Sequence, residues 1–392
     1  MSSPIDLGLL ALALATCVAW AAFTIDALRG RATMSFVRDM PVPETGALTA
    51  LPRVSVVVAA RNEGTTIEPA LSSVLELDYP NLEVIAVDDR SDDDTGDVLD
   101  NLAALHPQLH VIHVVELPAG WIGKSHALQR GAEMAAGELL LFTDADVVFE
   151  RTVVARAVAH LVAQGYDHLT MPADVRVTSP ALELFVAAFA LLFNGYFRPW
   201  RVGDPQSSAA VGFGSFNLVR RASYERAGEH TALAMDPLDD VRLAANLKAG
   251  GAAPHCAVAG PFLHVEWYSS LTEAFRGLEK NTMGAVNYSL LLLVAGGLAQ
   301  IVMVAWPFVA PLVTDGATRW LNVTAMATIM AVQIGMLRET SLRLWTVPLL
   351  PLGVLLAQVC FARAAALALW RGGIYWRGTF YRLDDLKRAG TV

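Results

Sequence analysis

A short apolar run that leads into two carboxylates constrains this sequence most. Leu139 to Phe142 are uniformly apolar, and Asp144 and Asp146 follow with only Ala145 between them. A continuous apolar run of this length is typical of a strand buried on both faces, as in a parallel sheet. Charge is tolerated only where such a strand ends and meets water, and in open α/β sheets ligands bind at that end. The run therefore predicts a parallel sheet with an acidic ligand site at one edge.

The paired aspartates favour a divalent cation. Two Asp residues separated by one position can both reach a single hard cation, and Mg²⁺ or Mn²⁺ prefers such oxygen ligands. A half-filled Mg²⁺ shell still needs oxygens, which a diphosphate supplies. The alternative is a polar strand end whose Asp forms a turn. Other acidic strand ends in this sequence favour a metal site over a simple turn.

Strand-like and helix-like segments alternate through the first half of the chain. The predicted strands cover residues 54–58, 82–87, 111–115 and 139–142, and the predicted helices cover 67–75, 93–101 and 124–136. This alternation is typical of βαβ units and a parallel sheet. It places Glu63, Asp89 and the Asp144/Asp146 pair at the same edge of that sheet.

Such an acidic edge repels a bare phosphate, so a cation must intervene if the ligand is a nucleotide diphosphate. Asp89 could instead accept a hydrogen bond from the imide N–H of a base. Lys124, at the start of a predicted helix, could contact the diphosphate directly, helped by the helix dipole. The alternative for Lys124 is an ordinary solvated side chain.

Composition points to membrane segments and away from nucleic acid. The chain has 392 residues, enough for two domains, and is 54% hydrophobic and only 17% charged. Its net charge of −9 argues against nucleic-acid binding, which needs basic patches. Cys17, Cys256 and Cys360 lie far apart, so neither a disulfide framework nor zinc-ligand spacing is present.

Several apolar segments are long enough to cross a bilayer. Residues 7–28 predict an anchor, and the arginines that follow place residue 29 onward in the cytoplasm by the positive-inside rule. A cleaved signal peptide would need a basic region before the apolar run. Residues 288–313, 320–337 and 344–370 predict three further crossings, whereas residues 181–200 predict an interfacial helix or a buried core helix. Four crossings would put the basic tail outside, so either one segment is re-entrant or the count is wrong.

Four motifs in this order resemble glycosyltransferase family 2, which has the GT-A nucleotide-sugar fold. They are Ala60-Arg61-Asn62-Glu63, Val87-Asp88-Asp89-Arg90-Ser91, Gly123-Lys124 and Asp144-Ala145-Asp146. The resemblance covers roughly residues 53–290. It implies a nucleotide-sugar site to which Ala60, Arg61, Glu63, Asp89, Lys124 and Asp144 contribute. In it Glu63 and Asp89 hold the nucleoside, Asp144 lies by the ribose and diphosphate, and Asp146 binds Mg²⁺ or Mn²⁺. Arg90 is a departure, because many members have Gly there.

The resemblance also implies a general base. Family members carry Glu-Asp-x-x-Leu where this chain has Asp239-Asp240-Val241-Arg242-Leu243, so Asp240 matches the base and Asp239 the Glu position. An acceptor hydroxyl must lose its proton as it attacks the sugar, which is the task of such a group. The alternative is that both residues only cap a helix. The Gly-rich stretch 212–217 is similar to one beside the acceptor in this family.

The second half resembles the branch that glycosylates membrane lipids, including ceramide, carotenoid and hopanoid-associated enzymes. The Gln-x-x-Arg-Trp of polysaccharide synthases is missing, and residues 373–378 are similar to a tail stretch of the lipid branch. Glu266-Trp267-Tyr268 stands where that branch often has Arg-x-Tyr, which is a departure from the pattern of the branch.

The resulting domain prediction is an anchor (1–28), a linker (29–52), a GT-A domain (53–287), transmembrane helices (288–370) and a tail (371–392). Within the GT-A domain, residues 53–146 form the nucleotide-sugar half and 147–287 the acceptor half. The prediction is an inverting, metal-dependent enzyme of the cell (inner) membrane, with its catalytic domain in the cytoplasm. It transfers a sugar from a nucleotide sugar, UDP-linked, to a membrane lipid acceptor that the membrane helices hold against Asp240. The alternatives are a polysaccharide synthase and an inactive membrane scaffold.

Overall fold

The computed structural model describes residues 4–389. The strands are β1 Ser35–Phe36, β2 Val54–Ala60, β3 Leu82–Asp89, β4 Leu109–Val114, β5 Leu139–Asp144, β6 Val147–Phe149, β7 His168–Thr170, β8 Asp174–Val175, β9 Asn217–Arg220, β10 Pro254–Val258, β11 Leu263–Val265, β12 Gly373–Trp376 and β13 Thr379–Arg382. The helices are α1 Pro4–Arg31, α2 Thr45–Leu48, α3 Ile67–Leu75, α4 Thr95–Leu105, α5 Gly123–Met134, α6 Val153–Gln164, α7 Pro180–Phe197, α8 Arg221–Arg226, α9 Asp239–Ala249, α10 Leu271–Gly277, α11 Glu279–Ala285, α12 Leu290–Gln300, α13 Trp306–Val313, α14 Gly316–Leu337, α15 Leu350–Arg371 and α16 Leu383–Ala389.

The described chain divides into two compact units. The first, which we call the helical unit, comprises residues 4–33, 177–200 and 268–374. The second, which we call the sheet unit, comprises residues 34–176, 201–267 and 375–389. The sheet unit is therefore interrupted twice by segments of the helical unit.

The sheet unit is built on one mainly parallel sheet, as the sequence predicts. Its strand order is β1-β10-β7-β9-β5-β2-β3-β4, in which only β9 runs antiparallel to its neighbours. Strands β6, β11 and β8 form a second, three-stranded sheet. This architecture confirms the expected α/β class with a GT-A-like fold.

The central strand β2 is buried along its whole length. Because successive side chains of a strand point to opposite faces, Val56 and Val58 enter the core beneath α3, α4 and α6, whereas Val57 and Ala59 enter the core beneath α5 and α9. Burial on both faces explains the uniformly apolar runs from which these strands were predicted.

The strand register brings the polar strand ends to one edge. Ala59 pairs with Asp144, and Ala60 pairs with Asp88. Asp89 lies opposite Val114 at the end of β4. The parallel arrangement thus gathers the acidic ends of β3 and β5 beside the loop after β2, as the alternation of elements predicts.

Residues 4–389 include five helical stretches long and apolar enough to cross a membrane, namely Pro4–Arg31, Pro180–Arg201, Leu290–Val313, Gly316–Leu337 and Leu350–Arg371. All of their residues except Arg201 belong to the helical unit. Within it, α1 and α14 run in the same direction. Cys17 Sγ donates to the carbonyl of Leu321 at 3.0 Å, and Arg31 forms an ion pair with Glu339 at 2.6 Å. The end marked by Arg31 and Glu339 is called the arginine end below. Helices α12 and α13 run the opposite way, because only residues 314–315 separate α13 from α14.

Both termini of α7 contact the arginine end. Glu183, in its first turn, pairs with Arg343 at 2.5 Å, shortly after the end of α14. Trp200, just beyond its last turn, donates to Asp26 of α1 at 2.9 Å. Helix α7 therefore does not run from one end of α1 and α14 to the other.

Helix α15 begins in the middle of the helical unit. Its first residue, Leu350, packs in a cluster with Trp20, Val304 and Ile329. Its last turn returns toward α11, where Arg371 pairs with Glu279 at 3.2 Å. Helix α11 directly precedes α12, and the first turn of α12 lies toward the arginine end. The last turn of α15, beside α11, therefore lies toward the same end. The segment after α14 thus enters the helical unit from the arginine end and returns to it.

Candidate active site

Lys124 joins two acidic elements of the sheet unit. Its ammonium lies 2.8 Å from Asp144 Oδ1 at the end of β5 and 3.4 Å from Asp239 Oδ2 at the start of α9. Burial disfavours the charged lysine, but the charges of Asp144, Asp239 and Asp240 outweigh it and raise the pKa of Lys124 above its ordinary value. The side chain is only 13% exposed, so it is not the solvated lysine that the sequence left open.

Asp240 is held by backbone amides. The N–H of Gly214 donates to Oδ2 at 2.9 Å, and the N–H of Val241 donates to Oδ1 at 2.8 Å. Burial and the neighbouring Asp239 raise the pKa of Asp240 to about 6, against the lowering effect of Lys124. A carboxylate with a pKa near the working pH suits a general base. Leu238 occupies the N-cap position of α9, so neither aspartate is its N-cap residue.

The Gly-rich stretch lies between the two acidic elements. The N–H of Asp144 donates to the carbonyl of Gly214 at 2.8 Å. A Cβ on Gly214 would collide with the carboxylate of Asp144, and one on Gly212 would collide with the carbonyl of Asp240. Only glycine allows this close approach of backbone to carboxylate.

Asp146 lies in a cluster of like charge. Burial, Asp144 and Glu63 raise the pKa of Asp146 to about 7, and Arg377 opposes the shift. Carboxylate oxygens that repel one another in this way suit a hard divalent cation. No group of three or more His, Cys, Asp or Glu residues within residues 4–389 has the geometry of a complete metal site. One or two carboxylates of this cluster have the oxygen donors that suit Mg²⁺ or Mn²⁺, whose shell would then be completed by oxygens of a ligand.

Arginines surround Asp89 at the end of β3. Arg90 donates to both of its carboxylate oxygens, at 2.8 and 3.1 Å, and Arg61 Nη1 lies 3.9 Å away. Arg90 has a φ of 58°, in the region glycine adopts without strain, which fits the Gly of many family members at this position. Arg61 Nε is buried and has no hydrogen-bond partner, so the site contains a donor that a ligand could use.

Two residues of this edge were not predicted as part of the site. Arg377 pairs with Glu63 at 3.0 Å, and the Tyr381 hydroxyl accepts a hydrogen bond from the N–H of Gly123 at 3.4 Å. The available signal was the Arg377-Gly378 pair after Trp376, which is consistent with a two-residue hairpin turn. No periodicity linked this distant segment to the edge of the sheet.

The structure thus links the predicted residues through direct neighbours. Lys124 joins Asp144 to Asp239 and lies within the electrostatic reach of Asp240, Asp146 lies beside Asp144 and Glu63, and Arg61 lies beside Asp89. Ala60 ends β2 next to Arg61. Their individual roles in binding and catalysis remain predictions.

A parallel α/β sheet with this acidic edge defines a GT-A-like fold. Residues 55–227 match the model of glycosyl transferase family 2.

Two known proteins illustrate the similarity. The chain is 29% identical over 179 residues to the 4,4'-diaponeurosporenoate glycosyltransferase of Staphylococcus aureus, across 45% of this chain and 46% of that protein. It therefore spans about half the length of the curated relatives it matches. The structure of the mannosyltransferase PcManGT from Pyrobaculum calidifontis in complex with GDP-Man and Mn²⁺ is 21% identical, with a TM-score of 0.55. The similarity covers 93% of this chain and 99% of the mannosyltransferase chain, and it supports the fold alone.

Replacing Lys124 should destabilise the sheet unit in a pH-dependent way. Lys124→Gln leaves buried carboxylates without their cation, and we expect the free energy of unfolding at pH 7.5 to fall by about 3 kcal/mol. The pKa of Asp240, already raised to about 6, then rises further, so protonation of Asp240 above pH 6 stabilises the folded variant relative to the unmodified protein. The loss should therefore shrink as the pH falls from 8 toward about 6.

Denaturant unfolding between pH 5 and pH 8 measures this difference. Lys387→Gln, in the exposed part of α16, is the control and should change stability by less than about 0.5 kcal/mol. A Lys124→Gln loss that is constant with pH would show that Lys124 does not balance these carboxylates.

Proposed function

We propose that this protein is a glycosyltransferase that transfers a sugar from a nucleotide sugar to a carotenoid-like lipid acceptor in a membrane. The observation that carries the proposal is that the charges of Asp144 and Asp240 both act on Lys124, and that Asp144 and Lys124 lie within residues 55–227, which match the family 2 model. One carboxylate belongs to the strand end where donors bind in α/β sheets, and the other has the pKa of a base. The name of the Staphylococcus aureus relative supports the class of acceptor.

The donor side is built from residues that complement a diphosphate. Lys124 and Arg61 offer cationic donors, and Asp146 is the proposed ligand of Mg²⁺ or Mn²⁺. The metal, when bound, would neutralise the charge that builds up on the departing diphosphate. UDP is the proposed nucleotide, and GDP is the alternative to test beside it.

The acceptor side depends on Asp240. The acceptor oxygen attacks the anomeric carbon of the sugar, its bond to that carbon forms as the carbon–diphosphate bond breaks, and the acceptor proton passes to Asp240. A single displacement of this kind inverts the anomeric centre. The amides of Gly214 and Val241 fix the orientation of the carboxylate, so the base needs no reorganisation.

The proposed protein is a multi-pass membrane protein whose sheet unit is cytoplasmic, where nucleotide sugars are found. Residues 34–176, 201–267 and 375–389 form one compact unit, so every segment that leaves it must return to the same side of the membrane. The segment 177–200 therefore cannot cross the membrane a single time. The segment from 268 to 374 must cross an even number of times, although it holds three apolar helices.

Of these three apolar helices, we propose that α15 does not cross the membrane. Its segment enters from the arginine end and returns to it, whereas α12–α13 and α14 form an antiparallel pair. The proposed crossings are therefore α1, α12–α13 and α14, with α7 and α15 embedded from the cytoplasmic side. Basic residues gather at the arginine end, as the positive-inside rule requires: Arg29, Arg31, Arg338, Arg343 and Arg371.

Asp240→Asn should abolish transfer while leaving donor binding almost intact. The amide cannot take the acceptor proton, so we expect the transfer rate to fall about a hundredfold or more. In the unmodified protein, the rate should fall about tenfold per pH unit below pH 6, because protonation of Asp240 removes the base. Radiolabelled sugar transfer to extracted membrane lipid measures the rate, and calorimetry with UDP measures donor binding.

Asp97→Asn, on the exposed side of α4, is the matched control and should keep the full rate. Transfer by Asp240→Asn at the rate of the unmodified protein, or a rate that does not respond to pH below 6, would remove Asp240 as the base.

Cysteine labelling tests the proposed topology. In a background where Cys17, Cys256 and Cys360 are replaced by alanine, single variants Asp315→Cys, Ser341→Cys and Asp384→Cys are treated with a membrane-impermeant maleimide. We expect the first to react in intact cells, and the other two only after permeabilisation. Reaction of Ser341→Cys but not Asp315→Cys in intact cells would instead make α15 a crossing and α12–α13 the embedded segment.

A further inference from the structure

The C-terminal hairpin of β12 and β13 turns at a residue that is unusual for its conformation. The turn consists of Arg377 and Gly378, with φ values of 47° and 79°. Two-residue turns with positive φ at both positions favour Asn, Asp or Gly, because other side chains are strained there. Residues held in strained conformations cluster at functional sites, so the contacts of the Arg377 side chain are informative.

The Arg377 side chain is directed at the acidic edge of the sheet unit. Its guanidinium pairs with Glu63 at 3.0 Å, and its charge opposes the raised pKa of Asp146. A Cβ on the next residue, Gly378, would lie 3.6 Å from Arg61 Nη2. The turn therefore lies beside the predicted donor residues.

A buried tyrosine fixes the hairpin in this position. The hydroxyl of Tyr381 accepts a hydrogen bond from the N–H of Gly123, the residue before Lys124. Tyr381 is 7% exposed, and its neighbours include Arg90 and Asp89. The hairpin is thus attached at two points of the same edge.

Two arginines at this otherwise acidic edge offer donors to an anionic ligand with several oxygens. Arg377 is one-third exposed, so its guanidinium has donors that can face a ligand. Arg61 Nε is buried and has no hydrogen-bond partner. Planar guanidinium groups bind phosphate oxygens in pairs, and a diphosphate offers enough oxygens for two arginines.

We propose that Arg377 binds the diphosphate of the donor, so that the C-terminal hairpin is part of the donor site. This inference rests on the proposed function. The competing explanation is that Arg377 only neutralises Glu63 and holds the hairpin in place. The two explanations differ in what Arg377 does once Glu63 carries no charge.

Calorimetry of the full chain in detergent, with UDP or GDP and Mn²⁺, tests the proposal. We expect Arg377→Gln to weaken binding of the nucleoside diphosphate about tenfold to a hundredfold, because it removes a charged hydrogen-bond donor. Arg377→Lys should recover part of the affinity through its charge alone. Arg382→Gln, an exposed arginine of the same hairpin, is the control and should bind as the unmodified protein does.

The Glu63→Gln background separates the two explanations. If Arg377 contacts the diphosphate, Arg377→Gln should still weaken binding at least tenfold in this background. If Arg377 only pairs with Glu63, the second substitution should have no further effect, which would overturn the proposal. Unchanged binding by Arg377→Gln alone would overturn it as well. An unmodified protein that binds neither UDP nor GDP would instead overturn the proposed function itself.

Discussion

Carboxylates that share one edge of a buried sheet repel one another, and the structure depends on the cations that balance them. Lys124 balances one part of this edge, where its ammonium contacts Asp144 and Asp239. In the other part, burial and the charges of Asp144 and Glu63 raise the pKa of Asp146, and the charge of Arg377 opposes this shift. The balanced part suits proton transfer by Asp240. The unbalanced part suits a metal together with a diphosphate. Under the proposed function, the neighbouring carboxylates of these two parts therefore have different tasks.

The proposed membrane topology accounts for the order of elements along the chain. The sheet unit is interrupted at residue 177 and again at residue 268, and the chain returns to it each time. The second return brings Arg377 and Tyr381 to the acidic edge. A chain that crosses a bilayer can do this only if the crossings between the two points are even in number. The embedded course proposed for α15 satisfies this requirement and also puts the basic tail on the side that the positive-inside rule demands.

Sequence reasoning predicted the elements whose signals are local. Apolar runs identified β2, β3 and β5, and parallel-sheet geometry then placed Asp89 and Asp144 at one edge. The short strands β7 and β9 carry no such run, so the antiparallel β9 was not predicted. Arg377 reaches Glu63 through tertiary structure alone. Hydropathy alone could not decide whether α15 crosses the membrane or has the embedded course proposed above, because both courses need the same apolar composition.

The central claim is that a cation is held jointly by the acidic edge and a diphosphate. Electron paramagnetic resonance of Mn²⁺ tests it most directly, because the free ion gives a signal that bound ion loses. Relative to a control with nucleotide alone, we expect the protein to remove Mn²⁺ signal strongly with UDP or GDP present and weakly without it. Asp146→Asn should lose this effect, and Asp97→Asn should keep it. Mn²⁺ binding that is equally tight without nucleotide, or that is unchanged in Asp146→Asn, would contradict the account.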